Sequence, residues 1–261
     1  MRLRATIAYD GTDFLGWQSQ AGRGPTLQEE IERALATVLR HSVTVTAAGR
    51  TDAGVHALGQ VVSFDVEGGP HAPGAVADPS GRAPLDVLLR SANAVLPPSI
   101  VLRDLRTTRA DFAPRRDAVR RGYRYRILNS PIRSPFEERT SWRVREALDA
   151  RAMAAAASQI VGEHDFASFQ GADTVPRSGI RRVERCSVEC AAERIEVAIV
   201  ANAFARHMVR NIVGELVEIG LGRRDPGDVA RLLAARDRSI APAPAPPLGL
   251  FLEFVDYPED R

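Results

Sequence analysis

Along parts of this chain apolar and polar residues alternate, and along others the apolar ones recur at helical spacing. The order of the two patterns sets the expected fold. Leu3–Tyr9 alternates as a half-buried strand does and ends at Tyr9-Asp10-Gly11, a turn signal. After Pro25, Thr26-Leu27-Gln28-Glu29 has the form of a capping box, and Leu27, Ile31, Ala34, Leu35 and Val38 then share one helical face to about Arg40. Val43–Ala47 and Leu58–Val66 return to strand alternation. Leu85–Leu96 reads as a helix stopped by Pro97-Pro98, and Ile100–Thr107 as a strand. The stretch Glu67–Pro84, rich in Gly, Pro and Ala, is expected to be an irregular surface insertion.

The same order recurs further on. A strand is predicted over Arg120–Leu128 and an alanine-rich helix over about Asp149–Val161. A hairpin of Arg182–Cys190 with Arg194–Ala201 follows, then helices over Arg206–Gly220 and Asp228–Arg236. A linker of alternating Ala and Pro, Ala241–Pro247, leads into a last strand, Leu250–Tyr257. The pattern is βαββαβ twice, so the expected class is α+β in two halves, residues 1–110 and 111–261, each a split βαβ unit. Their open sheets are expected side by side, with the site in a basic cleft between them.

The densest group of candidate chemistry is Ala48–Ala57, A-G-R-T-D-A-G-V-H-A, in the turn between two predicted strands. It places Arg50, Asp52 and His56 within seven residues, with glycines on either side of the carboxylate. The plain alternative is a hairpin loop with an Asx turn at Asp52. A second group is Arg121-Gly122-Tyr123-Arg124-Tyr125-Arg126, where strand alternation puts the tyrosines on one face and Arg124 and Arg126 on the other. Tyrosines so placed offer a stacking surface for a base, or fill the core; arginines suit phosphates. In the third, Phe204, Met208, Ile212, Leu216 and Ile219 form a buried stripe, and His207, Arg210, Asn211 and Gly214 a polar one. The glycine in that polar stripe permits something to approach closely. Phe14, Trp17 and Gln18 are expected to cover the core or to contact a base.

Composition narrows the field. Apolar residues make up 44% and charged residues 26%, ordinary for a globular chain. All 35 basic side chains other than histidine are arginine. The absence of lysine excludes a Walker A loop, a pyridoxal-phosphate enzyme and a protein kinase, each of which needs a central lysine. The net charge is only +2, yet Arg103–Arg126 carries nine arginines against three aspartates. That stripe is expected to be either a nucleic-acid surface or a solvated strand face. The two cysteines, Cys186 and Cys190, lie about 13 Å apart along a strand at about 3.3 Å per residue, and both are read as reduced structural residues. No apolar run reaches membrane-spanning length, and Met1-Arg2-Leu3-Arg4 leads straight into a strand, so the cytoplasm is the expected location.

Several strings together resemble the TruA-type tRNA pseudouridine synthases. They are Gly49–His56, Tyr9-Asp10-Gly11 with Gly16-Trp17-Gln18, Tyr123-Arg124-Tyr125, His207–Gly214 and the ending Gly249-Leu250-Phe251 to Asp256-Tyr257-Pro258. They occur in the family's order over nearly the whole chain. The Glu67–Pro84 stretch looks longer than usual, and Phe251 stands where the family often has tyrosine. The resemblance implies the pseudouridine synthase fold and a homodimer that binds the anticodon stem-loop of tRNA and isomerises uridines 38, 39 and 40. It implies that Asp52 is the catalytic carboxylate and that Arg50 extrudes or positions the nucleotide. Tyr123 would stack on the uracil, and Arg210 would be the basic partner of the carboxylate. It implies no metal and no cofactor. Three other readings compete. One is a noncatalytic RNA-binding module with a structural Asp52. A second is a glycosidase-like enzyme, for which the turn offers one carboxylate where most use two. The third is a metal enzyme using Asp52 and His56.

Overall fold

The computed structural model describes residues 1–20, 24–67, 84–171 and 179–258. In chain order the regular elements are β1 (Arg2–Tyr9), α1 (Leu27–Leu39), β2 (Thr46–Ala47), β3 (His56–Asp65), α2 (Pro84–Val95), β4 (Ile100–Thr107) and α3 (Pro114–Asp117). They continue with β5 (Arg120–Asn129), β6 (Trp142–Val144), α4 (Ala150–Ser158), β7 (Gly162–Asp165), β8 (Ile180–Ala191), β9 (Arg194–Ala201), α5 (Met208–Gly220), α6 (Asp228–Ala235) and β10 (Leu250–Asp256). The chain forms two compact units, Met1–Ala118 joined by the chain from Leu252 onward, and Val119–Phe251. The division therefore falls after Ala118 rather than at 110, and most of the last strand belongs to the first unit. The expected insertion Glu67–Pro84 lies, apart from its two ends, outside the described residues.

In the first unit the strands run in the order β4-β1-β3-β10, with β2 on β3. The central β1 is antiparallel to both neighbours, Leu3 lying opposite Phe64 on one side and Thr107 on the other. Leu3 and Ile7 of β1, Phe64 of β3, Ile31 and Leu35 of α1 and Leu88 of α2 are fully buried, each contributing about 1.5–3 kcal/mol of apolar transfer. Thr26 caps α1 as the sequence suggests, its hydroxyl accepting from the Glu29 N–H at 3.4 Å. Arg40, in the left-handed region at φ 60°, ends the helix by donating its N–H to the Ala36 carbonyl.

The predicted strand Val43–Ala47 pairs only at Thr46 and Ala47. Val43 and Val45 are buried, as alternation requires, but the backbone of Val45 is satisfied by side chains of α1. Glu32 accepts from its N–H at 2.8 Å and Gln28 donates to its carbonyl at 3.4 Å. A second device is the buried Arg4, whose guanidinium stacks 4.1 Å over the Tyr257 ring and 5.5 Å from that of Phe112. The Tyr257 hydroxyl donates to the Pro114 carbonyl at 2.8 Å, tying the end of the last strand to α3.

In the second unit the strands run β5-β9-β8-β7, all antiparallel, with β6 parallel to β5. Tyr125 opposes Val197 and is fully buried. Helix α5 packs on α4 and is buried nearly all round, including Asn211 and Gly214 of the predicted polar stripe. Close approach at Gly214 is real: a Cβ there would collide with the Ala243 carbonyl, so the Ala/Pro linker lies across the helix at that point. The helix starts at Met208 rather than Arg206 because His207 is left-handed, φ 61°. Of the two free cysteines, Cys186 is a core residue whose thiol burial pushes up to about 12. Cys190 is exposed, which corrects its reading as structural.

The arginine-rich stretch is less one-sided than its sequence. Glu196 on β9 pairs with Arg124 and lies 3.7 Å from Arg126, and Glu184 on β8 lies 3.5 Å from Arg120. These partners are distant in sequence, so a local count misses them. In the first unit Asp117 pairs with Arg116 and Arg109 and accepts from the Ala113 N–H at 2.9 Å. The Arg116 hydrogen bond, then that backbone donor, holds its carboxyl down at about 2. A carboxyl lowered on folding stabilises the native state above its unfolded value and stops doing so as pH falls through the folded one. Asp117→Asn is therefore expected to lower the melting temperature at pH 7 by about 2–4 °C. The gap to the parent should close between pH 4 and pH 2; a gap independent of pH would show that the charge is not what Asp117 contributes.

Candidate active site

The turn between β2 and β3 carries Arg50 and Asp52 in the first unit. Asp52 opens a tight turn closed by the Val55 N–H donating to its carbonyl at 3.2 Å. Gly54 takes the left-handed position, φ 75°, that such a turn needs at its third residue. Arg50 is exposed and Asp52 half-buried. Several groups beside them are bonded inward. Thr51 is buried, its carbonyl accepting from the Trp17 N–H at 3.0 Å and its hydroxyl sharing a hydrogen bond with the Tyr9 hydroxyl at 2.8 Å. The Gly49 carbonyl accepts from the Gln60 side-chain amide at 2.8 Å, and Gln60 is fully buried.

His56, the third polar residue of the string, is 1% exposed, and its Nδ1 accepts from the Gly11 N–H at 3.1 Å. An Asp10 carboxylate oxygen lies 3.2 Å from the same nitrogen. His56 thus anchors the loop after β1 to the start of β3. Among the described residues no group of three or more His, Cys, Asp or Glu is placed to hold a metal ion. Trp17 and Phe14 are buried and cover the core.

The other two predicted site residues are in the second unit. Tyr123 on β5 is half-buried and meets Phe204 edge-on, ring centroids 4.9 Å apart. Its neighbour on the same face, Tyr125, is a core residue that donates to the Pro246 carbonyl at 2.7 Å, and burial pushes its phenol far up. Arg210 on α5 is half-buried beside that phenol. Its Nε donates to the Ala245 carbonyl at 2.8 Å while its own carbonyl accepts from the Ala245 N–H at 2.9 Å. The guanidinium is therefore oriented by the linker. Asn211, one residue on, is buried and bonds Phe169, Gln170 and Arg238.

The sequence reading missed Tyr9, Thr51 and Gln60 as a group. The available signal was an amide in the middle of an otherwise apolar strand, Val61-Val62 following Gln60.

A mixed α+β structure whose strands are mostly antiparallel, with an acid on a braced turn, is consistent with the pseudouridine synthase fold. A family model described as tRNA pseudouridine synthase matches residues 5–87 and 156–258. The chain is 45% identical over 260 residues to the tRNA pseudouridine synthase A of Methylococcus capsulatus, covering 100% of this chain and 91% of the relative. It is 40% identical to those of Myxococcus xanthus, covering 98% and 92%, and of Geotalea uraniireducens, covering 98% and 99%. The chain belongs to the tRNA pseudouridine synthase family.

The loop after β1 meets the acid-bearing turn at Gly16, which sits at φ 90°; a Cβ there would lie 2.8 Å from the Thr51 carbonyl. Gly16→Ala is expected to cost about 1–3 kcal/mol in urea unfolding. Unchanged stability would mean that the loop and the turn separate without penalty.

Proposed function

We propose that this protein isomerises uridine to pseudouridine in tRNA, at positions 38, 39 and 40 of the anticodon stem-loop, with Asp52 as the catalytic residue. The observation that carries the reading is a half-buried carboxylate near an exposed arginine, on a turn whose Gly49 carbonyl and Thr51 are bonded inward, in a chain of this family. The reaction breaks the N1–C1′ bond, turns the uracil and rejoins it through C5, whose proton passes to solvent. Nothing is oxidised and no group is lost for good, so one ionised carboxylate at the sugar suffices, by adding to C1′ or by taking the C2′ proton.

A uridine in a stem must first leave the stack, at a cost of a few kcal/mol. Arg50, exposed next to Asp52, is suited to the vacated space or to the flanking phosphates. Tyr123 offers a ring face on which the detached uracil stays while it rotates. Arg210, oriented by the linker carbonyl, supplies positive charge that favours ionised carboxylate and binds the substrate. The working form is proposed to be a homodimer in the cytoplasm. No described helix is long and apolar enough to cross a membrane.

The test is release of tritium from tRNA carrying 5-³H-uridine. The parent protein is expected to release it, and Asp52→Asn to bind tRNA with near-parental affinity but release none. Turnover by that variant would remove Asp52 from the chemistry. Binding without release by the parent itself would favour a noncatalytic RNA-binding protein of the same fold.

A further inference from the structure

The turn that carries Asp52 is held from beneath by a small polar group walled off from water. Gln60 is 0% exposed and Tyr9 4%. The Gln60 amide nitrogen donates to the Gly49 carbonyl at 2.8 Å and lies 3.5 Å from the Tyr9 hydroxyl, which in turn bonds the Thr51 hydroxyl at 2.8 Å. Gln60 Oε1 is buried with no hydrogen-bond partner. A buried amide with one end unsatisfied is a costly way to fill space. On the same face of the strand, Val62 and Phe64 show that apolar side chains are accepted beside it. A methionine or leucine would fill a similar volume, but would leave the Gly49 carbonyl without this donor.

Resting on the reading of Asp52 as the catalytic carboxylate, we propose that Gln60, Tyr9 and Thr51 are positioning residues for it. Gly49 and Thr51 flank Arg50, and Thr51 directly precedes Asp52. With the Gly49 carbonyl, the Thr51 hydroxyl and the Thr51 carbonyl each bonded inward, the backbone on both sides of Arg50 is fixed. The side chains at 50 and 52 are then aimed by their backbone rather than by chance rotation. Small losses of aim at a reacting group cost one to two orders of magnitude in rate. The network touches neither the sugar nor the base, so it acts only through Asp52 and Arg50.

The Tyr9–Thr51 bond can be removed from either end with little change in shape. Tyr9→Phe and Thr51→Val, assayed by tritium release with the full-length protein and whole tRNA, are each expected to lower kcat by roughly ten- to hundredfold with KM for tRNA within about twofold. Because both delete the same bond, the double variant should be no worse than the poorer single one. Thr51→Ser, which keeps the hydroxyl, should recover most of the rate. Gln60→Met should lower kcat even when assayed well below its melting temperature, which a purely structural residue would not do. Parental kcat in Tyr9→Phe and Thr51→Val, losses that multiply in the double variant, or losses that vanish once each variant is assayed well below its melting temperature, would overturn the proposal. Asp52→Asn run alongside separates the two readings. Turnover by it sinks the role of Asp52 itself, whereas a dead Asp52→Asn with parental Tyr9→Phe and Thr51→Val sinks the positioning role alone.

Discussion

The first unit depends on how its turn backbone is satisfied. A loop between two strands ordinarily turns its carbonyls to water. Here those of Gly49 and Thr51 point inward and find donors on Gln60 and Trp17. That choice constrains much of what surrounds it. The strand after the turn must carry an amide among valines, the first strand must end in a tyrosine, and the loop after it must pass close enough for a backbone N–H to reach Thr51. Gly16 is what lets the loop come that near. The His56 ring, accepting from Gly11, fastens the other end of the same loop.

The second unit solves a related problem with different groups. Its linker of alternating alanine and proline has few N–H donors, since proline has none, so its carbonyls must be met by side chains. Tyr125 donates to Pro246, and Arg210 to Ala245, which returns a backbone N–H to the carbonyl of Arg210. Gly214 allows the linker to lie against α5. Arg210 is thus at once part of the packing and, in the proposed reaction, part of the substrate site. Replacing it with alanine would disturb both, which is why the separable residues of the first unit give the cleaner dissection.

Periodicity was enough to place every long element, because long amphipathic patterns are set by burial on one face and burial is what the pattern records. It failed where other physics decided. Val43 and Val45 alternate as a strand should, but the side chains of α1 had already met the backbone that a neighbouring strand would have paired. His207 looks helical by spacing and is left-handed in fact. The strands β6 and β7 and the one-turn α3 are too short to show a period. The arginine stripe read as unbalanced because its glutamate partners come from strands about 60 to 75 residues further along. At the proposed site, Asp52 and Arg50 stand out in their string because polar side chains bracketed by glycines leave a mark in the local sequence. The Tyr9–Thr51 brace could not be read there, since a hydrogen bond between residues so far apart has no local signature.

Tyr123 completes the physical argument from the side of the base. A reaction that releases uracil from its sugar and recaptures it by another atom needs a surface that retains the base without fixing its orientation. A hydrogen-bonding pocket would hold one edge and oppose the rotation. An aromatic face attracts the base by stacking, which depends little on rotation in the plane of the ring. Tyr123 meets this need only if its own ring is steady. The near-perpendicular contact with Phe204, ring centroids 4.9 Å apart, steadies it. The neighbouring Tyr125 has the same chemistry and none of the freedom: it is buried and bonded to the linker. In the proposed reaction two tyrosines on one strand face therefore divide the work, one anchoring the strand and the other stacking on the base.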